Sequence, residues 1–120
     1  MRKYYTGALK GAATWVTAMS MYVLNSVVIM DFGIYRYSSI SREEARRLLT
    51  GGFISAVGHP EAARVASEIL GVEIPVNRIE IRMVPGDRAV VVRLKRRPEA
   101  GAEVSAPIED YEIGLLERLS

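Results

Sequence analysis

The segment NRIEIRMVPGDRAVVVRLK, residues 77–95, decides the predicted fold. Its halves, NRIEIRMV and RAVVVRLK, are rich in the β-branched residues that are typical of strands, and Pro85-Gly86-Asp87 lies between them. A Pro-Gly pair suits a tight turn. The segment therefore predicts a β-hairpin, around which the other elements are arranged.

Two further strands are predicted upstream of this hairpin. The first, YVLNSVVI (residues 22–29), is mostly apolar, as a central strand should be, although Asn25-Ser26 interrupts it. The second, IYRYSSI (residues 34–40), alternates and follows turn residues at 31–33. We expect these two strands to pair with each other.

A short helix is predicted after the second strand. Ser41 followed by Glu44 forms a capping box, in which each residue satisfies a free backbone N–H of the first turn. Gly51-Gly52 ends the helical pattern. The helix is expected over about residues 42–50.

A second helix is predicted to follow His59, the only histidine of the chain. Pro60 suits the first helical position, and Gly71 suits the end. The apolar residues at helical spacing, which predict the buried face, are Ala62, Val65, Ala66 and Ile69.

The end of the chain, YEIGLLERL, carries Tyr111, Ile113 and Leu115 in alternation, which favours a last strand over a short helix. A length of 120 residues suits one domain with a real core. We predict an α/β (α+β) fold for residues 21–120, a single domain with a mixed central sheet of about five strands flanked by helices.

The first twenty residues are treated as an N-terminal extension of unknown role. They resemble a signal peptide at first sight, but the apolar stretch is short and Lys10 lies against it. No run approaches the roughly 20 apolar residues that span a bilayer. The extension holds three basic residues and no acidic one, so the net charge of +2 leaves −1 for residues 21–120, which disfavours a general polyanion binder such as a duplex DNA-binding protein.

The composition excludes several kinds of chemistry. The chain has no cysteine and one histidine, which excludes disulfides, a thiolate nucleophile and a zinc site of Cys and His ligands. Any metal would rest mainly on carboxylates, and we predict neither a metal nor a cofactor. The absence of cysteine indicates an intracellular protein, and the preference for Arg over Lys is typical of a thermophile or of a GC-rich genome.

Basic residues are concentrated in RAVVVRLKRR, residues 88–97. A patch of this size suits a compact anion better than a long nucleic-acid track. The alternative interpretation is a solvated strand end with no ligand. The five basic residues are Arg88, Arg93, Lys95, Arg96 and Arg97.

The motif Gly58-His59-Pro60 places a titratable side chain at the predicted start of the second helix. Free backbone N–H groups and the positive helix end attract an anion such as phosphate there. His59 could donate a proton to it, because imidazole titrates nearest to neutrality. The alternative is a structural histidine that only caps the helix.

A helix N-terminus disfavours imidazolium, so a nearby carboxylate would be needed to make His59 a good acid. Glu99 is the natural candidate, in RRPEAG directly after the basic strand. Arg96 or Arg78 could neutralise phosphate charge with bidentate hydrogen bonds.

The ordered segments YVLNS, GFISAVGH, GVEIPVNRIEIRMVPGDRAVVVRL, RRPEAG and YEIGLLERL resemble those of the viral ring nucleases, a family of small archaeal-virus proteins that act as type III anti-CRISPR proteins. The resemblance covers about residues 21–119. It implies a homodimer that binds cyclic tetraadenylate, the second messenger of type III CRISPR immunity, and cuts it to linear diadenylate. It also implies action in the cytoplasm of the host cell.

The same resemblance implies roles for individual residues. His59 matches the catalytic histidine in SxxGH, Glu99 the catalytic glutamate in R-x-P-E, and Arg96 the arginine three positions before that glutamate. Arg78 matches the arginine of the N-R pair. The further residues expected to contact the ligand are Asn25, Ser26, Gly58 and Arg97, of which Arg97 stands where the family usually has an apolar residue, and Ala100 delays the following glycine.

Three functions stay open at this point. The first is a metal-independent ring nuclease in which the 2′-hydroxyl of the RNA is the nucleophile. The second is a sponge or sensor that binds the ring without cutting it. The third is a nucleic-acid-binding protein that uses the basic strand end.

Overall fold

The computed structural model describes residues 4–5, 15–16, 20–95 and 108–120. Near the amino terminus, β1 (Tyr4–Tyr5) and β2 (Trp15–Val16) pair antiparallel in a small sheet of their own.

The central feature of the described chain is a five-stranded mixed sheet in the order β4-β7-β6-β3-β5. Strand β3 is parallel to β5 and β6, whereas β7 is antiparallel to β6 and β4. The prediction of a mixed sheet of about five strands is confirmed. The strands are β3 (Met21–Leu24), β4 (Tyr35–Ser39), β5 (Ile54–Ser55), β6 (Arg88–Leu94) and β7 (Tyr111–Arg118).

Helices α1 (Arg42–Leu49) and α2 (Pro60–Leu70) follow the predicted capping signals. The Ser41 hydroxyl accepts a hydrogen bond from the Glu44 N–H at 3.0 Å, and Gly71, with φ +70°, ends α2. Both helices pack on one face of the sheet. The core there includes Val23, Ala45, Leu49, Val65, Ala66, Ile69, Val90 and Val92.

The second face of the sheet is covered by irregular chain. Two segments, residues 25–34 and residues 76–84, cross it and bury Ile81 and Met83 against the strands. The segments are joined by an ion pair of 2.7 Å between Arg82 Nη1 and Asp31 Oδ1. The sheet residues that they cover include Tyr22, Leu24, Ala89, Val91 and Leu116.

The predicted hairpin is wrong, although its turn exists. Residues 77–84 form no strand, because β6 already has β3 on one side and β7 on the other. Ile81 and Met83, which belong to the predicted first strand of the hairpin, are instead buried on the second face. The Asp87 N–H donates to the Val84 carbonyl at 2.9 Å, so the chain does turn between the two halves.

The buried Asp87 explains why this turn is well defined. Its carboxylate accepts the Ser20 N–H and the Val84 N–H, each at 2.9 Å. Backbone N–H groups that would otherwise lose their hydrogen bonds on burial are thereby satisfied.

The predicted pairing of the first two long strands is also wrong. Strand β3 ends at Leu24, and β4 pairs with β7, so two strands lie between β3 and β4. Tyr22, Val23 and Leu24 are all buried, which is typical of a strand covered on both faces in a parallel part of a sheet. The last strand, β7, is confirmed, whereas the two-residue β5 was not predicted.

Candidate functional site

The candidate site lies at the edge of the sheet where its parallel strands end. Strands β3, β5 and β6 run in the same direction, so the residues that follow them meet at one edge. Ligands of open α/β sheets bind at such edges. We call this the carboxyl edge and define it by Asn25, Ser26, Gly58, His59 and Lys95, which follow the three strands.

His59 is the N-cap of α2, as predicted. Its backbone is extended, with φ −124° and ψ 129°, and its Nδ1 atom accepts a hydrogen bond from the Glu61 N–H at 3.2 Å. The side chain is exposed. Because Nδ1 uses its lone pair as an acceptor, a neutral His59 ring carries its proton on Nε2, which is then available to a ligand.

Arg78 lies directly against Gly58. Its Nε and Nη2 atoms donate to the Gly58 carbonyl at 3.2 and 3.1 Å. A Cβ atom on Gly58 would lie 3.3 Å from the Arg78 Cγ atom, which is tight for two carbon atoms. Gly58 therefore lets an arginine approach the backbone next to His59.

Asn77 fixes the position of Arg78, a role that was not predicted from the sequence. The Asn77 N–H donates to the Val57 carbonyl at 2.8 Å, and its Nδ2 atom donates to the Ser55 carbonyl at 2.7 Å. The Ser55 hydroxyl in turn donates to the Pro75 carbonyl at 2.6 Å. These bonds attach residues 75–78 to β5 and to the chain that leads from it to His59.

Asn25 and Ser26 follow β3 at the same edge. Asn25 is half-buried and Ser26 is exposed. The Ala56 N–H donates to the Val23 carbonyl at 2.9 Å, which aligns the ends of β3 and β5. The structure thus brings Asn25 and Ser26 to the same edge as Gly58 and His59.

Charged side chains on α2 form a cluster that begins at Glu61, two residues after the histidine. Arg64 forms ion pairs with Glu61 at 2.6 Å and with Glu68 at 3.0 Å. The hydrogen bond from Arg64 lowers the pKa of Glu61, and His59 adds a smaller lowering effect. The spacings of three and four residues were visible in the sequence, and they are the signal that could have identified this cluster.

Tyr111 is a further residue near the α2 N-terminus that was not predicted to belong to the site. It begins β7, opposite Leu94 at the end of β6. Burial raises the pKa of the Tyr111 hydroxyl, and the Glu61 carboxylate raises it further. Tyr111 is therefore an electrostatic neighbour of the α2 N-terminus.

Three predicted site residues, Glu99, Arg96 and Arg97, lie outside the described residues. The last described residue before them is Lys95, whose N–H donates to the Asp110 carbonyl at 2.8 Å.

Two observations concern metals and membranes. In the described parts of the chain, no three side chains of His, Asp or Glu type are grouped closely enough to hold a metal ion. Among the same residues, no helix has the length and apolar character that crossing a membrane requires.

Comparison with known proteins relates the chain to small viral proteins. The sequence model of the STIV B116-like family matches residues 21–113. The uncharacterized protein ORF117 of Acidianus two-tailed virus is 31% identical over 103 residues, which cover 81% of this chain and 87% of that protein. The uncharacterized protein 26 of Sulfolobus islandicus filamentous virus is 37% identical over 100 residues, which cover 78% and 84%.

Relatives are also found beyond these two viruses. The uncharacterized protein YddF of Bacillus subtilis is 30% identical over 107 residues, covering 84% of this chain and 99% of that protein. The solved structure of B116 of Sulfolobus turreted icosahedral virus is similar with a TM-score of 0.63 at 20% identity, covering 82% of this chain and 99% of that one. This likeness shows the fold.

Proposed function

This chain belongs to the STIV B116-like family, and we propose that it is a metal-independent ring nuclease that binds cyclic tetraadenylate across a homodimer and cleaves it to linear diadenylate. Such an enzyme would counter type III CRISPR signalling in the cytoplasm of a host cell. The observation that carries the proposal is the junction of His59, Gly58 and Arg78 at the carboxyl edge, where a proton donor, a close backbone approach and a cation are adjacent.

The site suits a phosphate of the ring. The N-terminus of α2 supplies backbone N–H groups and a positive dipole, and the Arg78 guanidinium adds a full positive charge beside it. A guanidinium has five N–H donors, and Arg78 uses two of them in its hydrogen bonds to the Gly58 carbonyl. The remaining donors suffice for phosphate oxygens.

The reaction uses a nucleophile that the substrate provides. The 2′-oxygen attacks the adjacent phosphorus, the bond from phosphorus to the 5′-oxygen breaks, and a 2′,3′-cyclic phosphate is left. His59 gives its proton to the departing 5′-oxygen, and the proton of the 2′-hydroxyl passes to solvent. Arg96 stabilises the charge of the transition state, and Glu99 supports the protonated histidine, in the roles that the family resemblance implies.

The homodimer follows from the symmetry of the ligand. A four-fold ring on a two-fold axis meets two identical sites on opposite linkages, and two cuts give two diadenylates. Large apolar side chains on the segments that cover the second face are exposed, which supports a partner surface there. They are Ile29, Met30, Phe32, Ile34, Val76 and Ile79. Light scattering should give the mass of a dimer, and a titration should give one ring per dimer.

A second candidate is a protein that binds the ring without cutting it. One observation favours it: His59 already has a structural task, the hydrogen bond to the Glu61 N–H. Such a protein would keep Arg78 and the α2 N-terminus as a phosphate site and would use His59 only as a cap.

The deciding experiment is incubation of the protein with radiolabelled cyclic tetraadenylate in excess chelator, followed by chromatography. We expect linear diadenylate from the wild type at an undiminished rate. Activity that disappears with chelator and returns with magnesium or manganese would contradict the proposed mechanism. Binding without any product, with or without metal, would support the sponge instead.

A further inference from the structure

The cap of α2 differs from the cap of α1 in one chemical respect. At α1 the acceptor is the Ser41 hydroxyl, which does not titrate in the ordinary pH range. At α2 the acceptor is an imidazole nitrogen, His59 Nδ1. A proton can bind to that nitrogen, and the same lone pair then no longer accepts a hydrogen bond.

We propose that proton binding at His59 and capping of α2 exclude each other, so that the first turn of α2 opens its cap whenever the ring becomes imidazolium. A proton from solvent adds to Nδ1, and the hydrogen bond from the Glu61 N–H to Nδ1 breaks. The ring is then free to turn, with an N–H on each side.

The charged groups around His59 define what the freed ring meets. On α2 these are the Glu61 carboxylate and the Arg64 guanidinium, which are paired with each other. From the 76–84 segment Arg78 reaches Gly58, and from β7 Tyr111 interacts with Glu61 and Arg64. Among these described groups, the Glu61 carboxylate is the acceptor nearest in sequence to the new Nδ1–H.

This inference deepens the proposed function and rests on it for its meaning. A neutral ring with its proton on Nε2 is a poor acid, because donating that proton leaves an imidazolate. The acid that cleavage needs is therefore the uncapped imidazolium. The ring would have to leave its resting contact before each proton transfer, so the capped form is the resting state of the enzyme.

Nuclear magnetic resonance can test this on the full chain without any substrate. Because the chain has one histidine, the imidazole signals of a ¹⁵N-labelled sample belong to His59 without further assignment. At high pH we expect the neutral ring with its proton on Nε2. As the pH falls, the amide signal of Glu61 should shift with the same midpoint as the ring.

The matched control is the Glu44 amide, which donates to Ser41 at the start of α1 and should stay unchanged through the histidine titration. In His59→Asn the new cap cannot titrate, so the Glu61 amide signal should no longer shift at the pH where the wild-type histidine titrates. A neutral ring protonated on Nδ1, or a Glu61 amide that ignores the ring, would overturn the inference. Neither result depends on cleavage, so failure here is distinct from failure of the proposed function.

Discussion

Replacing His59 with asparagine separates the two tasks that this residue is given. Asparagine is among the best N-cap residues, because its side-chain oxygen can accept the Glu61 N–H as Nδ1 does. It cannot donate an acidic proton at neutral pH. His59→Ala, by contrast, removes both the cap and the acid, so comparison of the two variants assigns each effect.

The expected magnitudes follow from general values for helix caps and general acids. Loss of an N-cap costs about 0.5–2 kcal/mol, and the exposed bond of 3.2 Å at His59 belongs near the lower end. His59→Ala should therefore lower the free energy of unfolding by roughly 0.5–1 kcal/mol, whereas His59→Asn should preserve it. Loss of a general acid costs roughly 10²–10⁴-fold in rate, and both variants should lose it alike.

The assays are urea unfolding and single-turnover cleavage of the ring, with equilibrium binding measured beside them. Binding should largely survive in both variants, because the proton matters in the transition state more than in the bound ground state. A His59→Asn protein that cleaves within a few-fold of the wild-type rate would refute the assignment of His59 as the acid.

Two glycines give further predictions. Gly58→Ala should displace Arg78 by a few tenths of an ångström and weaken ring binding roughly tenfold. This loss equals about 1.5 kcal/mol, the value of one charge-assisted hydrogen bond. The control is Gly51→Ala, whose Cβ would meet nothing within 4 Å and which should bind the ring normally. Gly114→Ala should destabilise the fold, because its Cβ would overlap the Tyr37 ring. In a double-mutant cycle measured by urea unfolding, adding Tyr37→Ala should recover part of the lost stability. Additive losses would show that the two positions do not meet.

The helices were predictable because their signals are local. The Ser41 cap and the Gly71 end each depend on a few neighbouring residues, and both stand where expected. The position of His59 at the start of α2 follows from Pro60 alone. These parts of the site can therefore be derived from the amino-acid sequence.

The strand partners were not predictable in the same way. Ile81 and Met83 alternate as strand residues do, but alternation only states that one side is buried. It does not distinguish a strand within the sheet from a segment lying across it. Strand β4 pairs with β7, whose paired residues lie 75 to 83 positions later in the chain, and no local pattern in residues 34–40 carries that information.

The contact between Arg78 and Gly58 shows how such long-range geometry creates a site. The two residues are twenty positions apart, and both belong to irregular chain. They meet because Asn77 donates two hydrogen bonds to the chain between Ser55 and Val57, which holds Arg78 beside the start of α2. An arginine held in this way loses little further freedom when it binds an anion, so more of the interaction energy remains for affinity. His59 is held by a bond that one proton can release. Under the proposed function, the candidate site would combine a cation held in place with an acid that can move, as phosphate binding followed by proton transfer requires.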